Sequence, residues 1–316
     1  MMERIGLIGA GRAGSAVGAA LAAAGHPLVG VTARSDASLE RAARLLPGVP
    51  VLTADEVADR AEVVLVAVPD DLIREVAQEL PLRAGQYVVH LSGAHGLEPV
   101  AGLSATPVAL HPSMTFPGGP VRLDGVMFTA TAPDSAQGVV ERLVKAVGGQ
   151  VQWVADEQRA RYHAGLVHGA NHLTTLVTQA VGVLREAGVA DPVATLRPLL
   201  TATLDNTLRA GHHALTGPIA RGDVETVAAH LAALRTGMDR TRTTYAELAR
   251  ATVELTAADG RLDAATADRF TELLDGHPAV ADPAADRHPT APDRTTPQDR
   301  TAQDRTAQDR TGEAPR

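Results

Sequence analysis

Twelve histidines, one lysine and no cysteine limit the chemistry open to this 316-residue chain. Thiol nucleophiles, disulfides and cysteine-ligated zinc are excluded. A lysine acid or Schiff base would have to be Lys145, because every other basic side chain apart from histidine is an arginine. Histidine, with its pKa near neutrality, is left to carry protons. His111, which follows a short strand at 108–110, and His168 are candidate proton donors. Asn171 lies three residues beyond His168 in a helical stretch, so the two can address one ligand atom. His163 shares that stretch and is a candidate substrate contact. His168 and His172 have the i,i+4 spacing of a metal pair, but no third ligand accompanies them, and no metal is expected. His212 and His213 precede a turn and read as solvated.

These groups need a frame, and the frame opens at residue 5. Residues 5–8 read as a buried strand, and Gly9-Ala10-Gly11-Arg12-Ala13-Gly14 follows. A small-residue helix over 15–24 comes next, closed by Gly25. In this strand–loop–helix setting each glycine has a purpose: Gly9 for the tight turn, Gly11 for close backbone approach to a pyrophosphate, Gly14 for helix-on-strand packing. The helix N-terminus adds free N–H groups and about half a positive charge. The loop therefore predicts a dinucleotide.

The second strand, 28–33, ends in Thr32-Ala33-Arg34-Ser35, where NAD sites carry an acid. Arg34 and Ser35 suit a 2′-phosphate instead, so the expected cofactor is NADP(H). Asp36 comes later and is read as a cap for the next helix. Val68-Pro69-Asp70 ends the strand at 62–68, and Ser92 opens the turn after the strand at 87–91. Both should pass close to the cofactor, outside the carboxyl ends of the strands.

The alternation continues with helices at 38–46, 55–60, 72–80 and 135–147, a short strand at 51–52 and a strand at 126–130. It implies an α/β Rossmann-like domain with a mostly parallel sheet over 1–153. Residues 154–276 read as an all-α domain for substrate and dimerisation. It begins with one helix over 156–188, about 45 Å long and capped by Asp156. Helices follow from Asp191-Pro192 (with Pro198 as a kink), from the cap Asp223, and over 238–258 and 263–274. Residues 277–316 repeat Gln-Asp-Arg-Thr-Ala and read as a disordered tail.

Composition sets the partners. A net charge of -8 and a pI near 5.8 argue against nucleic acid. No apolar run reaches the length of a membrane span, and the first strand leaves no room for a leader. A cytoplasmic enzyme with a small-molecule substrate is expected.

The motifs also occur in a familiar order. Gly9 to Gly14, Val68-Pro69-Asp70, Leu91-Ser92-Gly93-Ala94 and Leu110-His111-Pro112 precede Tyr162-His163-Ala164, Asn171 and the run from Ala214 to Asp223. Over about residues 3–275 the chain resembles Rossmann-like NADP-dependent oxidoreductases with an uncharacterised C-terminal helical domain. These are distant relatives of pyrroline-5-carboxylate reductase, ketopantoate reductase and the β-hydroxyacid dehydrogenases. The resemblance implies NADPH-dependent reduction of a small ketone or imine, with ketopantoate as the leading substrate and a homodimer through the long helix. One departure matters. The ketone-reducing relatives carry a lysine four residues before the asparagine, and that position is Val167 here. A different acid, or solvent, must supply the proton.

A keto acid also needs a cation for its carboxylate. Arg221, in the loop with Thr216 and Gly217, is the candidate. Arg159, Arg161 and Arg209 are alternatives and read as surface ion-pair partners. Two other readings stand beside the keto-acid reductase: an imine reductase of pyrroline-5-carboxylate type, and a non-catalytic NADPH-binding regulator.

Overall fold

The computed structural model describes residues 2–276. The tail predicted over 277–316 lies outside the described residues. Two compact units divide between Pro192 and Val193.

The first unit is built on a seven-stranded sheet in the order β2-β1-β3-β4-β5-β6-β7. The strands are β1 (Ile5–Ile8), β2 (Leu28–Val31), β3 (Val63–Val66), β4 (Tyr87–His90), β5 (Thr106–Pro112), β6 (Met127–Thr131) and β7 (Gln150–Trp153). Pairing is parallel throughout except between β5 and β6. The helices are α1 (Arg12–Ala23), α2 (Asp36–Leu45), α3 (Ala54–Arg60), α4 (Ile73–Glu79) and α5 (Asp134–Ala146). Val51 makes only an isolated bridge to Val31.

Both faces of the sheet are covered, which is why β1 and β3 read as unbroken apolar runs. Leu7, Leu65, Val89 and Val108 pack with α1, α2 and α5, while Ile8, Val64, Val66 and Val88 pack with α3 and α4. Register then fixes the working edge. Ile8, Val66, His90 and Ala109 lie side by side across four parallel strands. The residues that follow them share one carboxyl edge: Gly9, Ala67, Leu91 and Leu110, with His111 one step further.

The predicted long helix forms, but not as one regular coil. A 3₁₀ turn at Asp156–Gln158 leads into α6 (Arg159–Leu166), a π turn at Val167–Asn171 and α7 (His172–Glu186). The secondary structure changes to all-helical after β7, as read from the sequence. The compact unit nevertheless extends to Pro192.

The second unit contains α8 (Pro192–Ala210), α9 (Val224–Ala233), α10 (Asp239–Ala258) and α11 (Ala264–Asp275). Pro192 starts α8 at the position where a missing N–H costs nothing, and Pro198 lies inside it. Asp223 and Asp263 cap α9 and α11 by accepting from Thr226 N–H and Thr266 N–H. Val227, Leu231, Val253, Phe270 and Leu274 form the core beneath α9–α11. Among the described residues no helix is long and apolar enough to cross a membrane.

Candidate functional site

The glycine loop is pressed onto the end of β3. A Cβ on Gly9 (φ 102°) would stand 2.7 Å from the Ala67 carbonyl oxygen, and one on Gly14 would stand 2.5 Å from Ala67 Cβ. Neither position admits a side chain, and Gly9 needs a left-handed backbone as well. The loop is tied to β2 by Ala10 N–H donating to Thr32 O (3.0 Å) and Gly9 N–H donating to Thr32 Oγ1 (2.8 Å). Gly11 is the N-cap of α1 and offers no side-chain cap, and the first turn carries no acid. The N–H groups at this end therefore face outward without a protein acceptor. A cradle that a Cβ would fill, beside an uncapped helix N-terminus, fits the phosphates of a dinucleotide.

At the end of β2, Arg34 is exposed and makes no hydrogen bond or ion pair with the described residues, which leaves its guanidinium open to an anion. Ser35 is not free. Its Oγ accepts from Ser38 N–H and its own N–H donates to Ser38 Oγ, forming the capping box of α2. Ser35 therefore caps the helix, and Asp36, expected in that role, is its first residue. Arg41 was missed by the sequence reading. It reaches back from α2 to donate to Ala10 O (2.7 Å), which brings a second cation to the glycine loop.

Pro69 and Asp70 are exposed at the carboxyl edge, with Val68 half-buried. Ser92 is 5% exposed and donates to Asp70 Oδ2 (2.7 Å) while accepting from Ala94 N–H and His95 N–H. These bonds make Ser92 the organiser of the turn at 92–96. The turn is also held by His90 Nε2–H on Gly96 O and by Asp156, whose Oδ1 accepts from Leu97 N–H. Asp156 thus pins this turn to the start of α6 rather than capping the long helix.

Above the turn three rings converge. The Tyr162 hydroxyl lies 2.8 Å from His111 Nδ1 and 2.7 Å from Ser113 Oγ. The His163 ring centroid is 6.4 Å from that of His111, edge to face. Gly93 forms the floor, since a Cβ there would stand 2.9 Å from His163 Cδ2 and 3.1 Å from His111 Nε2. Burial, reinforced by the Arg159 charge, lowers the His111 pKa to about 4, so its imidazole is neutral at pH 7. A neutral imidazole and a serine hydroxyl can both donate to the phenolic oxygen. That leaves the Tyr162 O–H to be directed elsewhere.

The structure brings the candidates His111 and His163 together and adds Tyr162, Ser113 and Gly93. His168 and Asn171 are exposed on the π turn. There the wider turn pairs His168 Nδ1 with His172 Nδ1 at 3.1 Å, so His168 faces His172 rather than Asn171. Thr216, Gly217 and Arg221 lie in the second unit, where Arg221 ends a 3₁₀ turn, Ile219–Arg221. Arg209 ion-pairs with Asp205 on the surface of α8, as read.

Arg159 contradicts its reading as a surface ion-pair partner. It is 1% exposed, donates to Ala109 O, Thr129 O and Thr131 Oγ1, and has no carboxylate within ion-pair distance. Its remaining nitrogen, NH1, has no hydrogen-bond partner. Charged hydrogen bonds contribute about 1.5–3 kcal/mol each, against several kcal/mol for desolvating an ion.

Comparison with known proteins agrees with this architecture. Residues 2–112 match a Rossmann-like domain and residues 126–252 match a domain of unknown function, DUF2520. A search of curated proteins gave no match. Among solved structures, a "putative NADP oxidoreductase" from Bacteroides fragilis is 22% identical, with a TM-score of 0.70 over 80% of this chain and 98% of that one. An imine reductase from Pseudomonas sp. is 20% identical, with a TM-score of 0.59 over 86% of this chain and 99% of that one. A reductive aminase from Aspergillus terreus, in complex with NADPH and ethyl levulinate, is 17% identical, with a TM-score of 0.58 over 87% and 99%. The two family matches follow one another in the order the motifs indicated, and the second begins within the sheet, at β6, and runs on into the helices.

Proposed function

We propose that this protein is an NADPH-dependent reductase of a small carbonyl or imine, with Tyr162 as proton donor. The observation that carries the reading is the Tyr162 hydroxyl, held by His111 and Ser113 at the carboxyl edge that also bears the glycine cradle. NADPH, when bound, supplies a hydride to the electrophilic carbon. Gly9, Gly11, Gly14 and the α1 N-terminus would hold its pyrophosphate, and Arg34 with Arg41 would face its 2′-phosphate. Tyr162 gives its proton to the substrate oxygen or nitrogen. His111 Nδ1–H and Ser113 Oγ–H stabilise the phenolate left behind until solvent reprotonates it. This arrangement replaces the lysine that is Val167 here.

The reaction class is tested by NADPH consumption with a panel of keto acids, neutral ketones and cyclic imines. Ketopantoate belongs in the panel as the keto acid first indicated by sequence. Its carboxylate needs a cation, and the Arg159 guanidinium, 5.9 Å from the Tyr162 ring centre, is already engaged by Ala109 O and Thr129 O. An imine is the second reading, favoured by the imine reductase and reductive aminase among the structural neighbours. NADPH binding with no turnover anywhere in the panel would leave a regulatory protein instead.

Cofactor choice has its own test. Removing a charge-assisted contact costs about 1.5–3 kcal/mol, so Arg34→Ala should weaken NADPH binding by roughly tenfold to 10²-fold and leave NADH binding unchanged. Fluorescence titration reads both, and equal losses for the two nucleotides would remove Arg34 from the phosphate site.

The partner we infer is a second copy of this chain. In the first unit α7 contains no buried residue and exposes Leu173 and Leu176. In the second, α8 buries only Pro192 and exposes Val193, Leu199, Leu204 and Leu208, the last at 79%. Helices this apolar need a cover. Light scattering should return twice the chain mass of 32.7 kDa, and a monomer would end the proposal.

A further inference from the structure

Arg159 is a buried cation with no carboxylate within ion-pair distance among the described residues, and such a group persists only where something depends on it. We propose that Arg159 is the positioning residue of the Tyr162 site, clamping the first turn of α6 to β5 and β6 so that the Tyr162 hydroxyl meets His111. The inference rests on the reading of Tyr162 as proton donor.

The clamp has two parts. Arg159 NH2 lies 2.7 Å from Ala109 O on β5 and 3.2 Å from Thr129 O on β6, and Nε donates to Thr131 Oγ1 at 2.9 Å. A planar fork can hold several acceptors on two strands at once, which an ammonium on a flexible stem holds less rigidly. Tyr162 is three residues on, hence on the same face of α6 and one turn away. The clamp therefore sets the height and rotation of the helix at the residue whose hydroxyl must meet His111, two residues along β5 from Ala109.

The second part is charge. The Arg159 guanidinium carbon is 5.9 Å from the centre of the Tyr162 ring. The ionisable groups around Arg159 and His111 are Tyr162, His163 and Asp156 from the α6 end, His90 from β4 and Asp70 beyond the end of β3. A fixed positive charge here disfavours a second one on His111. It also favours the negative charge that arises on the Tyr162 oxygen when the proton leaves.

Two variants separate these parts, Arg159→Met removing the charge and Arg159→Lys keeping it without the fork. Ligand-free protein is titrated by NMR at the His111 ring, with His111→Asn identifying the signal. Melting temperature confirms folding. In Arg159→Met the His111 midpoint should rise by about one pH unit, and in Arg159→Lys it should stay near wild type. With a turned-over substrate, Arg159→Lys should lose kcat on the order of 10²-fold at unchanged NADPH affinity, because Tyr162 is misplaced. The acid limb of the pH–rate profile should move up in Arg159→Met alone, which a merely structural loss of folded protein would not produce.

An unmoved His111 midpoint in folded Arg159→Met overturns the proposal, as does wild-type kcat in Arg159→Lys. If Arg159→Met does not fold, the kcat of Arg159→Lys decides the matter. A shifted His111 in a protein that turns over nothing in the panel would instead refute Tyr162 as donor and leave the clamp standing.

Discussion

Tyr162→Phe is expected to lower kcat by about 10²–10⁴-fold, the usual worth of a positioned acid, with NADPH affinity within about twofold of wild type. The substitution removes one oxygen and keeps the ring. That oxygen touches His111 and Ser113 and nothing in the glycine loop, so cofactor binding has no reason to change. No nearby group replaces it easily. With its pKa near 4, His111 carries a proton in about one molecule per thousand at pH 7. Lys145 is exposed on α5 and belongs to no part of the site. Ser113 has a hydroxyl but no base of its own among its hydrogen-bond partners. Steady-state kinetics at saturating NADPH would read the effect. A kcat within about threefold of wild type would mean that solvent, or an iminium arriving already protonated, supplies the proton.

The sequence made the frame legible and left the proton donor hidden, for physical reasons. β1 was read to the residue, because a strand buried on both faces is an apolar run bounded by glycine. The glycine loop was read because its constraints are local: φ at Gly9 and space at Gly14. β7 was not read. Gln150-Val151-Gln152-Trp153 is a largely exposed edge strand whose alternation covers only four residues. β5 was read three residues long and is seven, because Pro107 and Pro112 look like breakers while pairing still holds them. Tyr162 stood in the motif used for the resemblance, yet its role depends on α6 crossing the end of β5, which no spacing along the chain encodes. Arg159 was misjudged because a charged residue at a helix start ordinarily faces water. The clue available was its spacing: Arg159, Tyr162 and His163 fall at i, i+3 and i+4, on one helix face. The π turn redirected His168 in the same hidden way, since turn width is set by packing rather than composition.

Acidification should destabilise the protein well before its carboxylates titrate, through His90 and His111, both held near pKa 4; His90 is the one that ties the sheet to the turn beneath the site. His90 sits on the central strand β4 at 0% exposure. Its Nε2–H donates to Gly96 O at 2.7 Å and its Nδ1 accepts from Ser92 N–H at 3.3 Å, so both nitrogens are matched only when the ring is neutral. Burial first, and then the charges of Arg159 and His95, hold its pKa at about 4, against the opposing bond to Gly96. A folded-state pKa below the ordinary 6.5 means that the unfolded chain binds more protons between those values. Stability is therefore full above pH 6.5 and lost as pH falls toward 4, with a slope of up to about 1.4 kcal/mol per pH unit from His90. Glu3 and Asp263 are lowered from ordinary values of 4.5 and 3.8, so their contributions disappear only below this window. Urea midpoints at pH 7, 6 and 5 should fall steadily, and His90→Gln should reduce the decline to the part that His111 contributes. Midpoints constant from pH 6.5 to 4.5 would show that His90 is free to protonate in place. The consequence for the site is direct. A proton on Nδ1 breaks the match with Ser92 N–H and loosens the turn that carries Gly93, the floor beneath His111 and His163. Acid should therefore disturb the Tyr162 cluster through its floor before it unfolds the sheet.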